Sequence, residues 1–258
     1  MGLLVSRVVF QPPSSKYAID YKTYTVVPSK HGYRIPVTTI FHKNPRFVVL
    51  YSHGNSENIQ QVHQWCEVLS ARLRVTVFAY DYRGYGPTKG TPTEQNVFSD
   101  ALVVYNYVKK FHPDRHIVLF GRSLGCAPSI KLAGVVPARG LVLESPFLTC
   151  VKTVLNTGFT LWFDMFRNET NIQQCTQPTL IIHGKEDRVV PFEHGVTLFK
   201  DCPNPWGKLW LEKAGHNDID SIHREELLRK VSYYLDDLEL QDGSARRPII
   251  LRTKNKGL

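Results

Sequence analysis

Cysteine is scarce and badly spaced for cross-linking or metal work. Cys66, Cys126, Cys150, Cys175 and Cys202 are odd in number and form no C-x-x-C pair. That argues against a disulfide framework or a zinc site and fits a reducing compartment, with the thiols as small buried side chains. Long apolar runs are missing too: no stretch approaches the roughly 18 residues that span a bilayer. The opening MGLLVSRVVFQPP has no charged leader and no small-residue cleavage site, so it is not read as a signal peptide. Internal repeats and an H-E-x-x-H pattern are also lacking. His112 and His116 are separated by Pro113 and read as a loop pair, so neither a metal nor another cofactor is expected. Acid is absent from the end of the chain, where Arg246, Arg247, Arg252, Lys254 and Lys256 follow Asp242. These five supply more than half of the formal charge of +9. What remains is a mildly basic domain whose solvated surface needs no nucleic-acid partner.

What is present suits one large globular domain: 258 residues, 42% of them apolar. TYTVVP and RIPVTTIF flank Ser29-Lys30-His31-Gly32 and predict an opening hairpin. FVVLYS, VTVFAY, HIVLF, GLVL, TLIIH and KLWL follow as nearly continuous apolar runs, the pattern of parallel strands buried on both faces. Between them, Thr91-Pro92-Thr93-Glu94 offers a helix start with Thr91 as its cap, and Val97, Ala101, Val104, Tyr105 and Val108 recur at helical spacing. Leu227, Val231, Tyr234, Leu235 and Leu238 repeat that spacing. Strands alternating with helices place the chain in the α/β class, with a mainly parallel sheet. The expected division is an N-terminal segment over 1–22, a domain over 23–240 and a basic tail over 241–258. From Pro146 to Pro178 an insertion breaks the rhythm. Phe159, Trp162, Phe163 and Phe166 fall there on one helical face, which either packs on the sheet or lines a groove under a short lid.

Residues 121–125, GRSLG, lie between HIVLF and the small-residue start of a helix. They match G-x-S-x-G, a strained strand-to-helix turn that exposes a serine and needs Gly121 and Gly125 for close backbone approach. A serine hydroxyl is a weak nucleophile until an oriented base takes its proton. Behind such a turn the partners follow in the order serine, acid, histidine. Asp187 follows TLIIH, and His216 follows KLWL, so both sit on strand-end loops at the edge that carries Ser123. Asp218 and Glu186 are rival acids; position and order favour Asp187. A tetrahedral oxyanion also needs donors. The turn Ser52-His53-Gly54-Asn55-Ser56 follows FVVLYS, so the backbone N–H of Asn55 or Ser56, together with that of Leu124, is the expected pair.

Gly2 and Ser6 fit M-G-x-x-x-[ST], the pattern for N-myristoylation. One acyl chain binds membranes marginally, and the basic tail would supply the second signal for an anionic surface. The other reading is that Val8, Val9 and Phe10 pack against the domain. Asn168-Glu169-Thr170 reads as a chance sequon.

Taken together, SHGNSEN, YDYRGYG, KGTPTE, GRSLG, HGKEDRVVPFEHG and AGHNDI resemble the α/β-hydrolase domain-containing protein 17 family, from about Phe10 to Leu238. The resemblance implies an α/β-hydrolase fold and a serine hydrolase that removes palmitate from cysteines of membrane-attached proteins. Its partners would be S-palmitoylated proteins, and its place the cytosolic face of membranes. Its triad falls on Ser123, Asp187 and His216. The chain departs from the family pattern in having no cysteine before Cys66, where members carry a palmitoylated cluster, and in Pro87-Thr88 within GYGPTKG. These residues alone do not separate a thioesterase from a lipase or esterase acting on monoacylglycerol, lysophospholipid or small acyl esters. A catalytically silent scaffold of the same fold is the reading from another class.

Overall fold

The computed structural model describes residues 9–14, 17–20, 23–29, 32–155 and 164–241. Gly2, the aromatics Phe159, Trp162 and Phe163, and the tail beyond residue 241 lie outside them.

The hairpin forms from β1 (Tyr24–Pro28) and β2 (Arg34–Ile40), paired antiparallel. The apolar runs become β3 (Phe47–Ser52), β4 (Val75–Tyr80), β5 (Ile117–Arg122), β6 (Gly140–Glu144), β7 (Thr179–Gly184) and β8 (Pro205–Leu211). Among the described residues they make one sheet in the order β1-β2-β4-β3-β5-β6-β7-β8. Every pair from β4 to β8 is parallel, while β2 runs antiparallel to β4.

Each of β3 to β7 is buried along its whole length because both its faces are covered, and most of its residues are apolar. Along β3, Val48 and Leu50 enter one core cluster, while Phe47, Val49 and Tyr51 enter the other. One face is covered by α1 (His63–Leu73) and, near the C-terminus, by a helix over Arg224–Gln241; the opposite face is covered by α2 (Glu94–Lys109) and α3 (Cys126–Ala133). The helical repeats do what their spacing predicts: Val97, Ala101, Val104, Tyr105 and Val108 are buried, as are Leu227, Val231, Tyr234, Leu235 and Leu238. The start of α2 differs from expectation. Its cap is Thr93, whose side chain accepts the Asn96 N–H at 3.1 Å, and Thr91-Pro92 stay outside the helix. The insertion holds α4 (Cys150–Leu155) and α5 (Asn168–Asn171), followed by α6 (Phe192–Asp201) and, last, α7 (Arg224–Gln241).

Phe166 overturns the single aromatic face expected in the insertion. Residues 164–167 are not helical, and Phe166 takes a left-handed φ of 55°. It is buried edge-on against Phe10 and Phe147, so apolar burial directs it into the core rather than into a groove. Asn168 is buried as well and donates from Nδ2 to the Phe147 carbonyl at 2.9 Å, which leaves the sequon no exposed amide. All five cysteines are buried and free. Among the described residues, no helix is long and apolar enough to cross a membrane.

Candidate active site

The C-terminal ends of β3, β5, β7 and β8 lead into four turns that converge. Parallel sheets bring functional loops to this edge. Ser123 follows β5 directly and sits at φ 50°, in the left-handed region that non-glycine residues avoid. Its flanks explain the glycines. A Cβ on Gly121 would run into the Gly125 carbonyl and Cys126, and one on Gly125 would run into the Ser52 backbone.

His216 arrives on the turn after β8. Its Nε2 lies 2.9 Å from Ser123 Oγ and its Nδ1 lies 2.7 Å from Asp187 Oδ2. Asp187 is buried just beyond β7. Its Oδ1 accepts the N–H groups of Val189 at 2.9 Å and Val190 at 2.8 Å. Its Oδ2 also faces His183 Nε2 at 3.4 Å. Burial alone would raise this carboxyl; the hydrogen bonds from His183 and His216 and the charge of His216 outweigh it and hold Asp187 well below the usual carboxylate range. The rival acids are placed elsewhere: Asp218 accepts the Gly215 N–H at 2.9 Å, and Glu186 is exposed.

The turn after β3 is braced on every side. Gly54 N–H donates to Glu57 Oε2 at 2.7 Å, which commits that donor. His53 Nδ1 donates to the Gly54 carbonyl at 2.8 Å, and Tyr82 OH donates to the His53 carbonyl at 2.8 Å. A trans peptide points its C=O and N–H in opposite directions. Fixing the Gly54 carbonyl therefore fixes the direction of the Asn55 N–H. The Asn55 side chain is held as firmly: its Oδ1 accepts from Tyr85 OH at 2.6 Å and from Gln11 N–H at 2.9 Å, and its Nδ2 donates to the Val9 carbonyl at 2.7 Å.

Asn55, Ser56 and Leu124 line one pocket of about 410 Å³ together with Ser123 and His216. Val9, Phe147, Cys150, Val189 and Val190 give it an apolar side. Phe166 is not among its walls. Arg122, the residue between Gly121 and the serine, is buried in the wall of this pocket, which Glu57 and Asn217 also line. It is ion-paired to Glu57, bonded to Glu144 Oε1 at 3.2 Å and bonded to Asn217 Oδ1 at 3.2 Å. Glu144 is fully buried. Its carboxyl is pushed up to about 7 by burial first, with Arg122 opposing and the charges of Asp220 and Glu57 adding to the rise. Among the described residues, no group of three or more His, Cys, Asp or Glu side chains is disposed to hold a metal ion.

Sequence reasoning brings forward Ser123, Asp187, His216, Asn55, Ser56 and Leu124, and the fold gathers all six. It passes over Arg122, Glu57 and His183, and it offers the packing of Val9 and Phe10 on the domain without connecting residues 9–11 to Asn55. A charged residue inside the elbow, and the histidine of HGKEDR, are the signals that point to Arg122 and His183. Nothing local in the sequence points to the bonds that residues 9–11 make with Asn55.

A family model described as serine aminopeptidase, S33, matches residues 43–169, which include Ser123. The chain is 36% identical over 200 residues to human alpha/beta hydrolase domain-containing protein 17B, covering 76% of this chain and 69% of that one. It is 35% identical to alpha/beta hydrolase domain-containing protein aho-3 of Caenorhabditis elegans, over 95% of this chain and 81% of that one. With the 17B protein of Xenopus tropicalis it shares 36% identity but spans only 62% of that protein's length. Among solved structures, the esterase Pf2001 of Pyrococcus furiosus superposes with a TM-score of 0.73 at 18% identity, covering 88% of this chain and 98% of that chain. Est1E of Butyrivibrio proteoclasticus, with ferulic acid bound, gives 0.66 at 19% identity, covering 86% and 100%. At such identities these two speak for the fold alone, and it is the α/β-hydrolase fold. Sharing more than a third of the aligned residues with proteins of one kind over most of its length, the chain belongs to the α/β-hydrolase domain-containing protein 17 family.

Proposed function

We propose that this protein is a serine hydrolase of acyl thioesters, acting on palmitate carried by cysteines of membrane-associated proteins. The observation that carries the reading is the bridge made by His216, 2.9 Å from Ser123 Oγ on one side and 2.7 Å from Asp187 on the other. That geometry suits a base that takes the serine proton while a carboxylate steadies the imidazolium.

Ser123 Oγ attacks the acyl carbonyl as its proton passes to His216 Nε2. The resulting oxyanion takes hydrogen bonds from the Asn55 and Leu124 N–H groups, with that of Ser56 as the neighbouring donor. The C–S bond then breaks, the sulfur takes the proton from His216 Nε2 and leaves as the thiol, and the acyl group stays on Ser123. Water deprotonated by His216 attacks that ester, releasing the fatty acid and restoring the serine. Asp187 stays ionised throughout, in keeping with its lowered proton affinity. The apolar wall of Val9, Phe147, Cys150 and Val190 supports an acyl chain as the group bound beside Ser123. The thioester assignment follows the family resemblance, because one triad serves oxygen esters equally well.

A fluorophosphonate probe tests the nucleophile. Labelling is expected in the wild type and absent in Ser123→Ala; an unlabelled wild type would point to a silent scaffold. Incubation with a palmitoylated peptide beside monoacylglycerol, lysophospholipid and short acyl esters then ranks the substrates. Brisk lipid turnover without palmitate release from the peptide would replace the thioesterase by a lipase.

A further inference from the structure

We propose that Arg122 is a positioning residue for the reaction at Ser123: one guanidinium ties the oxyanion turn and the histidine loop to the nucleophile elbow. This rests on the reading of Ser123 as nucleophile.

The three arms of the fork go to three different elements. Nη1 pairs with Glu57 Oε1, Nε donates to Glu144 Oε1 at the end of β6, and Nη2 donates to Asn217 Oδ1. Two of these contacts lead to a working part. Glu57 uses its other oxygen to accept the Gly54 N–H at 2.7 Å, so the link ends one residue before Asn55. Asn217 is the residue after His216. Arg122 is itself joined through its backbone to Ser123. Base, nucleophile and oxyanion donor are thus referred to a single side chain whose exposure is only 8%.

The chemistry asks for arginine. Its planar head offers five donors in fixed directions, whereas a lysine offers one compact ammonium. Stability does not explain the arrangement, because a buried ion pair roughly breaks even against well-packed apolar side chains. Geometry does. A displacement of about 1 Å at a reacting centre costs on the order of 10²-fold in rate. The competing account is that Arg122 merely neutralises Glu57 and Glu144, and a lysine would do that as well.

The test compares Arg122→Lys, Glu57→Gln and Asn217→Ala with the wild type on a soluble acyl ester and a fluorophosphonate, with thermal unfolding alongside. Arg122→Lys keeps the charge and loses the fork. Its kcat is expected to fall about 10–100-fold with KM within about threefold. Adding Glu57→Gln to it should cost little more, since both changes break the same link. Wild-type kcat in Arg122→Lys would reduce the residue to a counter-ion and overturn the inference. Should that variant not fold, Glu57→Gln and Asn217→Ala leave the arginine in place, and each should lower kcat several-fold at constant KM. Full activity in both would overturn the inference equally. A wild type that takes no label removes the nucleophile reading itself, an outcome distinct from a labelled wild type whose variants react at full rate.

Discussion

Asp187 and Glu144 are two buried carboxyls at the ends of neighbouring strands, and they are driven in opposite directions. Burial raises both. Asp187 receives two backbone N–H groups on Oδ1 and faces two imidazoles on Oδ2, which holds it well below the usual range. Among the described residues, Glu144 receives one donor, Arg122 Nε, on Oε1, and its Oε2 has no hydrogen-bond partner. Asp220 and Glu57 add like charge, and the carboxyl rises to about 7. Depth is therefore a poor guide to charge at this edge. The supply of donors decides it, and only the well-supplied carboxylate is equipped to hold an imidazolium.

The largest effect should come from removing the charge at the well-supplied site. Asp187→Asn preserves shape but presents an amide to His216 Nδ1 and disfavours the tautomer that leaves Nε2 free to accept. By analogy with the serine-protease triad, kcat should fall on the order of 10³–10⁴-fold with little change in KM. Steady-state kinetics on a soluble ester would measure it. A loss below about tenfold would show that His216 does not depend on this carboxylate, and the contrast with Glu144 would lose its functional meaning.

A smaller test asks whether all four donors to Asp187 matter. His183 is fully buried, and Gly195 is kept small against its ring, since a Cβ there would collide with Nδ1. A hydrogen bond to a charged group contributes about 1.5–3 kcal/mol. At 3.4 Å, with the same Nε2–H 3.1 Å from the Val190 carbonyl, this one belongs at the weak end. His183→Phe keeps a flat ring and removes the donor shared between the Val190 carbonyl and Asp187, so kcat should fall about tenfold or less at constant KM. Unchanged kcat would mean that His216 and the two backbone groups suffice.

This contrast shows where the sequence is legible. Strands 47–52 and 75–80 are readable because burial on both faces makes them continuously apolar. Ser123 and Asp187 are readable because each follows such a run, and His216 because it follows the edge strand KLWL, and a parallel sheet sends those turns to one edge. Donor supply is not readable, because it depends on where side chains point across the fold. Arg122 is 65 residues from Glu57 and 95 from Asn217. Gln11 and Val9 reach Asn55 across 44 and 46 residues, with no periodic pattern to announce it. Phe166 fits a helical face by spacing, yet its backbone turns left-handed and buries the ring. The helix start slips from Thr91 to Thr93, which lacks the following proline and the glutamate three residues on but has its side chain on the open Asn96 N–H.

The gentlest test falls on Glu144. Its folded value of about 7 lies above the ordinary 4.5, so between those values the native state binds more protons than the unfolded one. Stability should therefore decline as pH rises through that window, by on the order of 1–3 kcal/mol. Glu144→Gln removes the titration while keeping an oxygen for Arg122 Nε. Urea unfolding at pH 5 and pH 8 should then show the variant gaining on the wild type at the higher pH. Its activity should stay within about threefold, because the variant keeps the acceptor for Arg122 Nε and that contact leads to neither the oxyanion turn nor the histidine loop. An identical pH slope in the two proteins would mean that Glu144 titrates alike in its folded and unfolded states. Burial would then be offset at both carboxyls, and donor supply would no longer distinguish them.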